Sequence, residues 1–199
     1  MTNLQLSPEE MKLVKNSDWI LTKHRIIEKV YHLFGNLATQ MQSCLQEERH
    51  FLPAEALRLP PKISKGEQYQ SMPYVVLDYP RLFSKEAVFA IRSFFWWGNY
   101  FSITLHLKGI FHRQWEERIN KGIAQYDWQD FYFSFSGNEF SFDLEGNNYI
   151  SSGHLAVPGK ETVAPFIKIS YKIPFDQWDI AGEKLMQVFK RFIYLPGAD

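Results

Sequence analysis

The chain has a single cysteine, Cys44, so it forms no internal disulfide and needs no oxidising compartment. It has no charge excess: 22 lysine and arginine residues face 22 aspartate and glutamate residues, with a pI near 7.0. That balance removes the electrostatic case for a nucleic-acid or anionic-membrane partner, and neither is expected. The most apolar uncharged stretch, residues 93–105, is interrupted by Gly98, Asn99, Ser102 and Thr104. It falls short of the ~20 residues that a membrane-crossing helix requires. Residues 1–10 show no basic region followed by an apolar one, and no Asn-x-Ser/Thr acceptor occurs, so a cytoplasmic protein is expected. The Gly-x-Ser-x-Gly elbow, the phosphate-cradling glycine loop and the dinucleotide fingerprint are also missing. This argues against the common hydrolase, NTPase and dehydrogenase designs, and no cofactor is expected.

Aromatic residues are plentiful. They make up 17% of the chain, with 17 Phe, 10 Tyr and 6 Trp. Residues 1–68 contain only Trp19, Tyr31, Phe34 and Phe51, and the rest lie beyond. Charge does not shift with them, so the composition describes a helical part packed on an aromatic sheet within a single domain spanning residues 1–199. Ser7-Pro8-Glu9-Glu10 has the form of a capping box with proline in the first turn. A second helix start lies at Ser17-Asp18, and Ile27, Val30, Phe34, Leu37, Met41 and Cys44 then recur at spacings of three and four. These residues predict a helical part over 1–50. Pro53, Pro60, Pro61, Gly66 and Pro73 predict a loop over 51–73.

From residue 74 the period changes to two, predicting a mainly β region over 74–175 with one short helix near 111–124. A strand beginning at Tyr74 is closed by Pro80. Phe101, Ile103, Leu105 and Leu107 alternate with Tyr100, Ser102, Thr104, His106 and Lys108, giving one buried face and one polar face. Further alternation runs through Phe131, Phe133 and Phe135, then Phe140, Phe142 and Leu144, and lastly Val163, Ile167, Ile169, Tyr171 and Ile173. A long loop over 145–160 separates the last two strands. Asp176 is expected to cap a final helix over 176–195 with a stripe at Trp178, Ala181, Leu185, Val188, Phe189 and Phe192. The fold class is α+β: one antiparallel sheet packed against a long N-terminal helix and a C-terminal helix.

His24, Glu28 and His32 stand four residues apart on the helix surface, away from its apolar stripe, without a fourth ligand nearby. They describe a solvated face, as His112 and Glu116 do, and no metal site is expected. Cys44, at the edge of an apolar stripe, behaves as a small hydrophobe. The segment 94–101 is different, because six of its eight residues are aromatic and consecutive strand residues point to opposite faces. Unless Gly98 marks a bulge, some of Phe94, Trp96 and Tyr100 fall on the polar face and need cover. That cover comes from a loop, a ligand or another chain.

The functional expectation is a small-molecule-binding protein with an aromatic pocket on the polar sheet face. Its candidate residues are Arg81, Arg92, Trp96, Tyr100, Ser102, Thr104 and His106. The pocket is placed where that face meets residues 60–73 and the turn at 78–81. One alternative is an interaction or homodimerisation module using exposed aromatics. Another is an enzyme with His106 as general acid or base, oriented by Asp78 or Asp143. Tyr100 and Tyr132 beside Lys108, Lys168 and Lys172 form a conceivable stacking face for nucleic acid, which the neutral charge disfavours.

Overall fold

The computed structural model describes residues 4–47, 52–135, 137–152 and 165–195. Helix α1 (Pro8–Lys15) opens with the expected capping box, in which Ser7 and Glu10 satisfy each other's backbone N–H. Helix α2 (Ser17–Glu47) follows at once, with Asn16 Oδ1 accepting from the Trp19 amide. After the short α3 (Ala54–Leu57) come β1 (Lys62–Tyr69), β2 (Met72–Phe83), β3 (Val88–Trp96) and β4 (Tyr100–Lys108). Helix α4 (Ile110–Gln125), β5 (Phe131–Ser134), β6 (Ile150–Ser151), β7 (Phe166–Pro174), a 3-10 segment (Phe175–Ile180) and α5 (Ala181–Ile193) complete the order. The strands form one antiparallel sheet in the order β1-β2-β3-β4-β7-β5-β6.

One face of the sheet carries the main core. Val75 and Leu77 of β2, Ile91 and Phe95 of β3, and Phe101, Ile103 and Leu105 of β4 are buried there. They pack against the Ile27–Met41 stripe of α2 and against Leu185, Phe189 and Phe192 of α5. Trp115 and Ile119 of α4 extend the layer, with Phe89 edge-on to Trp115 at 5.1 Å. Each fully buried side chain of this kind contributes ~1.5–3 kcal/mol of transfer free energy. Two-sided burial also explains why β4 and β7 lie near the centre of the sheet: nearly every residue of both is shielded from water.

Several sequence expectations are corrected. Residues 51–73 are not a loop: they hold α3 and the edge strand β1. Gly66 does not break that strand, because it lies against the Tyr74 ring, where a Cβ would sit 2.6 Å from ring carbons. The β1–β2 hairpin turns through Gln70 and Ser71, both at positive φ (48° and 62°), which is the geometry that usually recruits Asn-Gly. Pro80 does not close β2, which passes through it at a bulge between Asp78 and Arg81. Gly98 (φ 76°) makes the β3–β4 turn and not a bulge. Phe140, Phe142 and Leu144 lie in an irregular segment, because its polar backbone groups bond side chains where a strand would bond a neighbouring strand. Asp176 does not cap the last helix. It lies in the 3-10 segment, and α5 begins at Ala181. Val163 and positions 153–160 of the 145–160 loop fall outside the described residues.

The fold makes a sharp contrast testable. Phe101 is fully buried, with the rings of Trp178, Phe95 and Phe34 at 5.0, 5.2 and 6.4 Å, whereas Trp19 is 54% exposed at the free end of α2. Phe101→Ala should cost ~3–5 kcal/mol in urea unfolding. Trp19→Ala should stay within ~0.5 kcal/mol of the parent. Comparable losses at the two sites would contradict this packing.

Candidate functional site

The second face of the sheet is built in cross-strand rows. Directly opposed residues share a face, with Cβ atoms ~4.5–5.5 Å apart. Register places Asp78, Arg92, Thr104, Ser170 and Tyr132 in one row across β2, β3, β4, β7 and β5. The adjoining row on one side is Arg81, Ala90, His106, Lys168 and Ser134, and on the other Val76, Phe94, Ser102 and Lys172. Beyond these come Tyr74, Trp96 and Tyr100. The face therefore has a polar, cationic half and an aromatic half.

Residues 137–149 lie across both halves as a strap. Phe142 N donates to the Tyr69 hydroxyl at 2.6 Å. The Tyr100 hydroxyl donates to the Phe142 carbonyl at 3.1 Å and accepts from Leu144 N at 2.8 Å. The Tyr149 hydroxyl and Lys168 Nζ both donate to the Ser141 carbonyl. At the rim, Lys108 pairs with Glu139, Lys172 with Glu145, and Gln70 with Asp143. The Phe142 ring is held between two cations, with Lys168 Nζ at 4.1 Å and the Arg92 guanidinium at 4.8 Å from its centroid. A crevice bounded by Phe83, Arg92, Thr104, His106, Phe140 and Phe142 has an interior of about 10 Å³, room for a single water.

Burial sets the electrostatics. Arg92 binds Asp78 through two parallel hydrogen bonds of 2.7 and 2.9 Å, so the face's own carboxylate is neutralised at once. Lys168 is wholly buried, and its hydrogen bond goes to a carbonyl oxygen, not to a carboxylate. Desolvation, reinforced by the charge on Arg92, pulls its pKa from 10.5 to about 7. Burial first, then the positive charges of Lys168, Arg92 and Lys108, lowers His106 to about 3. His106 is thus neutral at pH 7, with Nε2 buried and unbonded, its ring edge-on to Phe166 at 5.8 Å. Ser102 Oγ is likewise buried without a partner, while Thr104 and Ser170 bond each other at 2.8 Å.

Of the sequence candidates, Arg92, Trp96, Tyr100, Ser102, Thr104 and His106 do share this face. Trp96 and Tyr100 are buried beneath the strap and are not exposed anchors for a partner chain. The cover that Phe94, Trp96 and Tyr100 require comes from the chain's own strap. Arg81 shares it too, opposite Ala90 at the end of the His106 row, but its Nε donates to the Pro60 carbonyl at 2.9 Å, just before β1. Neither proposed orienting acid serves His106, because Asp78 holds Arg92 and Asp143 accepts from Gln70 and the Glu145 amide. A histidine held near pKa 3 is also poorly matched to acid–base work at neutral pH.

Sequence reading missed Lys168 as a site residue and missed the strap that covers it. A signal for the lysine was available in Phe166-Ile167-Lys168-Ile169, where a cation sits amid apolar residues in a strand with two buried faces. His24, Glu28 and His32 are exposed on α2, and among the described residues no cluster of three or more His, Cys, Asp or Glu side chains is placed to hold a metal. No helix among the described residues is long and apolar enough to cross a membrane. No family model matches the chain, and no curated protein or solved structure is similar to it.

The buried amine has a thermodynamic signature. Lys168 faces Arg92 of β3, His106 and Lys108 of β4, and Glu139 and Tyr149 of the strap. Its pKa is lower in the folded chain than in the unfolded one, so between about 7 and 10.5 the unfolded chain binds the extra proton. Stability from this residue rises with pH across that window, at up to ~1.4 kcal/mol per pH unit. His106 acts at lower pH, and the raised Tyr100 and Tyr149 act only above their ordinary range near 10. Between pH 7 and about 9.5, denaturation of the parent should therefore show a rise that Lys168→Met lacks. Parallel pH profiles for the two proteins would contradict a neutralisable buried lysine.

Proposed function

We propose that this chain binds a small carboxylate-bearing molecule with an aromatic or apolar body, seated on the second sheet face in place of the strap. The observation that carries this reading is the division of charge between sheet and strap. Beneath the strap the sheet contributes Arg92, Lys108, Lys168 and Lys172 against one acid, Asp78, whereas Glu139, Asp143 and Glu145 all belong to the strap. Lifting the strap removes the carboxylates from Lys108 and Lys172 together and leaves four cations facing outward around a single ion-paired acid. Such a surface favours an anion.

The strap itself resembles such a ligand in chemistry. Its Phe142 ring packs among Tyr69, Phe94, Arg92 and Lys168, and its backbone carbonyls take the hydrogen bonds of Tyr100, Tyr149 and Lys168. An aromatic acid would replace both elements, placing its ring on the aromatic half and its carboxylate among the cations. Lys168 Nζ, His106 Nε2 and Ser102 Oγ, which protein atoms leave underused, would then gain partners. Because the strap competes for the same face, apparent affinity scales with the fraction of open molecules.

Binding of phenylacetate and phenyllactate, followed by isothermal calorimetry and thermal shift, tests the reading. Saturable binding of the acids and not of the corresponding amides is expected, with a raised melting temperature. Lys168→Met and Arg92→Lys should each weaken it about tenfold or more, the loss of one charge-assisted contact. Phe142→Ala, which loosens the strap, should tighten it. Absence of binding by any aromatic acid, or equal binding of acid and amide, would sink the proposal.

A further inference from the structure

Taking the proposed carboxylate site as its basis, we propose that the Lys168 amine bonds covalently to the ligand, condensing with the carbonyl carbon of a 2-oxo acid to form an imine. Three features of the geometry lead here. The amine is completely buried and is held against the Phe142 and Tyr149 rings, 4.1 and 5.0 Å from their centroids. It makes its hydrogen bond to the Ser141 carbonyl, a strap atom that leaves when the strap lifts. Its flanking neighbours Lys108 and Lys172 are both paired with carboxylates, whereas Lys168 bonds only a carbonyl oxygen. A lysine desolvated beside a second cation is the usual form of an imine-forming nucleophile. The depressed pKa, about 7, agrees with that description.

The step balances without any oxidant or reductant. The neutral amine's lone pair attacks the carbonyl carbon, a C–N bond forms, and the carbonyl electron pair moves to oxygen, which takes up one of the amine's two protons. The carbinolamine then expels water as the nitrogen gives up its remaining proton and closes the C=N bond. Arg92, one row away, keeps Nη1 after giving Nε and Nη2 to Asp78, and is placed to hold the acid's carboxylate. His106 is the direct cross-strand neighbour of Lys168, and its unbonded Nε2 is an acceptor for the carbinolamine hydroxyl.

The experiment treats the full chain with phenylpyruvate and borohydride, then maps reduced adducts by intact mass and peptide sequencing. Phenyllactate serves as the matched acid without a carbonyl, and its binding is measured in parallel. One adduct per chain at Lys168, suppressed by excess phenyllactate and abolished in Lys168→Arg, is the expected result. Mapping within the parent chain locates the adduct even if the variant folds poorly. Saturable binding of both acids with no adduct, or with label spread over surface lysines, would overturn the imine while leaving the carboxylate site standing. Failure of both acids to bind, with no adduct, would overturn the carboxylate site and the imine together.

Discussion

A sheet whose central strands are covered on both faces must take most of their polar side chains out of contact with water. In this chain that constraint falls on β4 and β7, whose outer rows hold Ser102, Thr104, His106, Lys168 and Ser170. Leaving such groups buried without partners costs ~1–3 kcal/mol each, and more for a charged one. The strap meets part of this cost with backbone oxygens and two paired glutamates, and Phe142 closes the centre. Lys168 and His106 accommodate the remainder by moving toward their neutral forms.

Had the second face been needed only to complete a core, apolar residues would have filled it more cheaply, since replacing buried charges with well-packed hydrophobes is often neutral or stabilising. The main core on the opposite face shows the same sheet doing just that, with Leu, Ile, Phe and Val along β2, β3, β4, β5 and β7 and Ser93 the buried polar exception. The contrast between the faces lends functional weight to the polar rows. Their charges also sit asymmetrically, cations on the sheet and acids on the strap, which couples closure of the strap to neutralisation of the surface beneath it.

Much of this was legible in the sequence. Periodicity alone placed the α2 stripe, the alternation of β4 and the apolar side of α5, because each is decided by burial on one side of a regular element. It also put Tyr100, Ser102, Thr104 and His106 on one face, to which the register of β3 adds Arg92 and Trp96. Strand β1 was hidden because it is polar, lies at the sheet edge, contains Gly66 and ends in a Gln70-Ser71 turn without glycine or asparagine at its positive-φ positions. The strap was hidden for another reason. Its alternating Phe140, Phe142 and Leu144 mimic a strand, yet its backbone is bound by tyrosine hydroxyls that come from β1 and β4. Long-range partners of that kind leave no local signal, and the same holds for the Pro60 carbonyl that takes the guanidinium of Arg81.

The account turns on whether the strap opens as a unit over an otherwise intact sheet, and hydrogen exchange reads this directly. The Phe142 and Leu144 amides, bound to the Tyr69 and Tyr100 hydroxyls, report the strap, and the Ile103 amide in β4 reports the sheet. Exchange of the two strap amides should proceed through an opening well below the global unfolding free energy and should speed up on saturation with phenyllactate, which holds the strap open, while Ile103 exchanges only on global unfolding. Strap amides that exchange at the same free energy as Ile103, unchanged by the acid, would contradict an openable cover over the polar face.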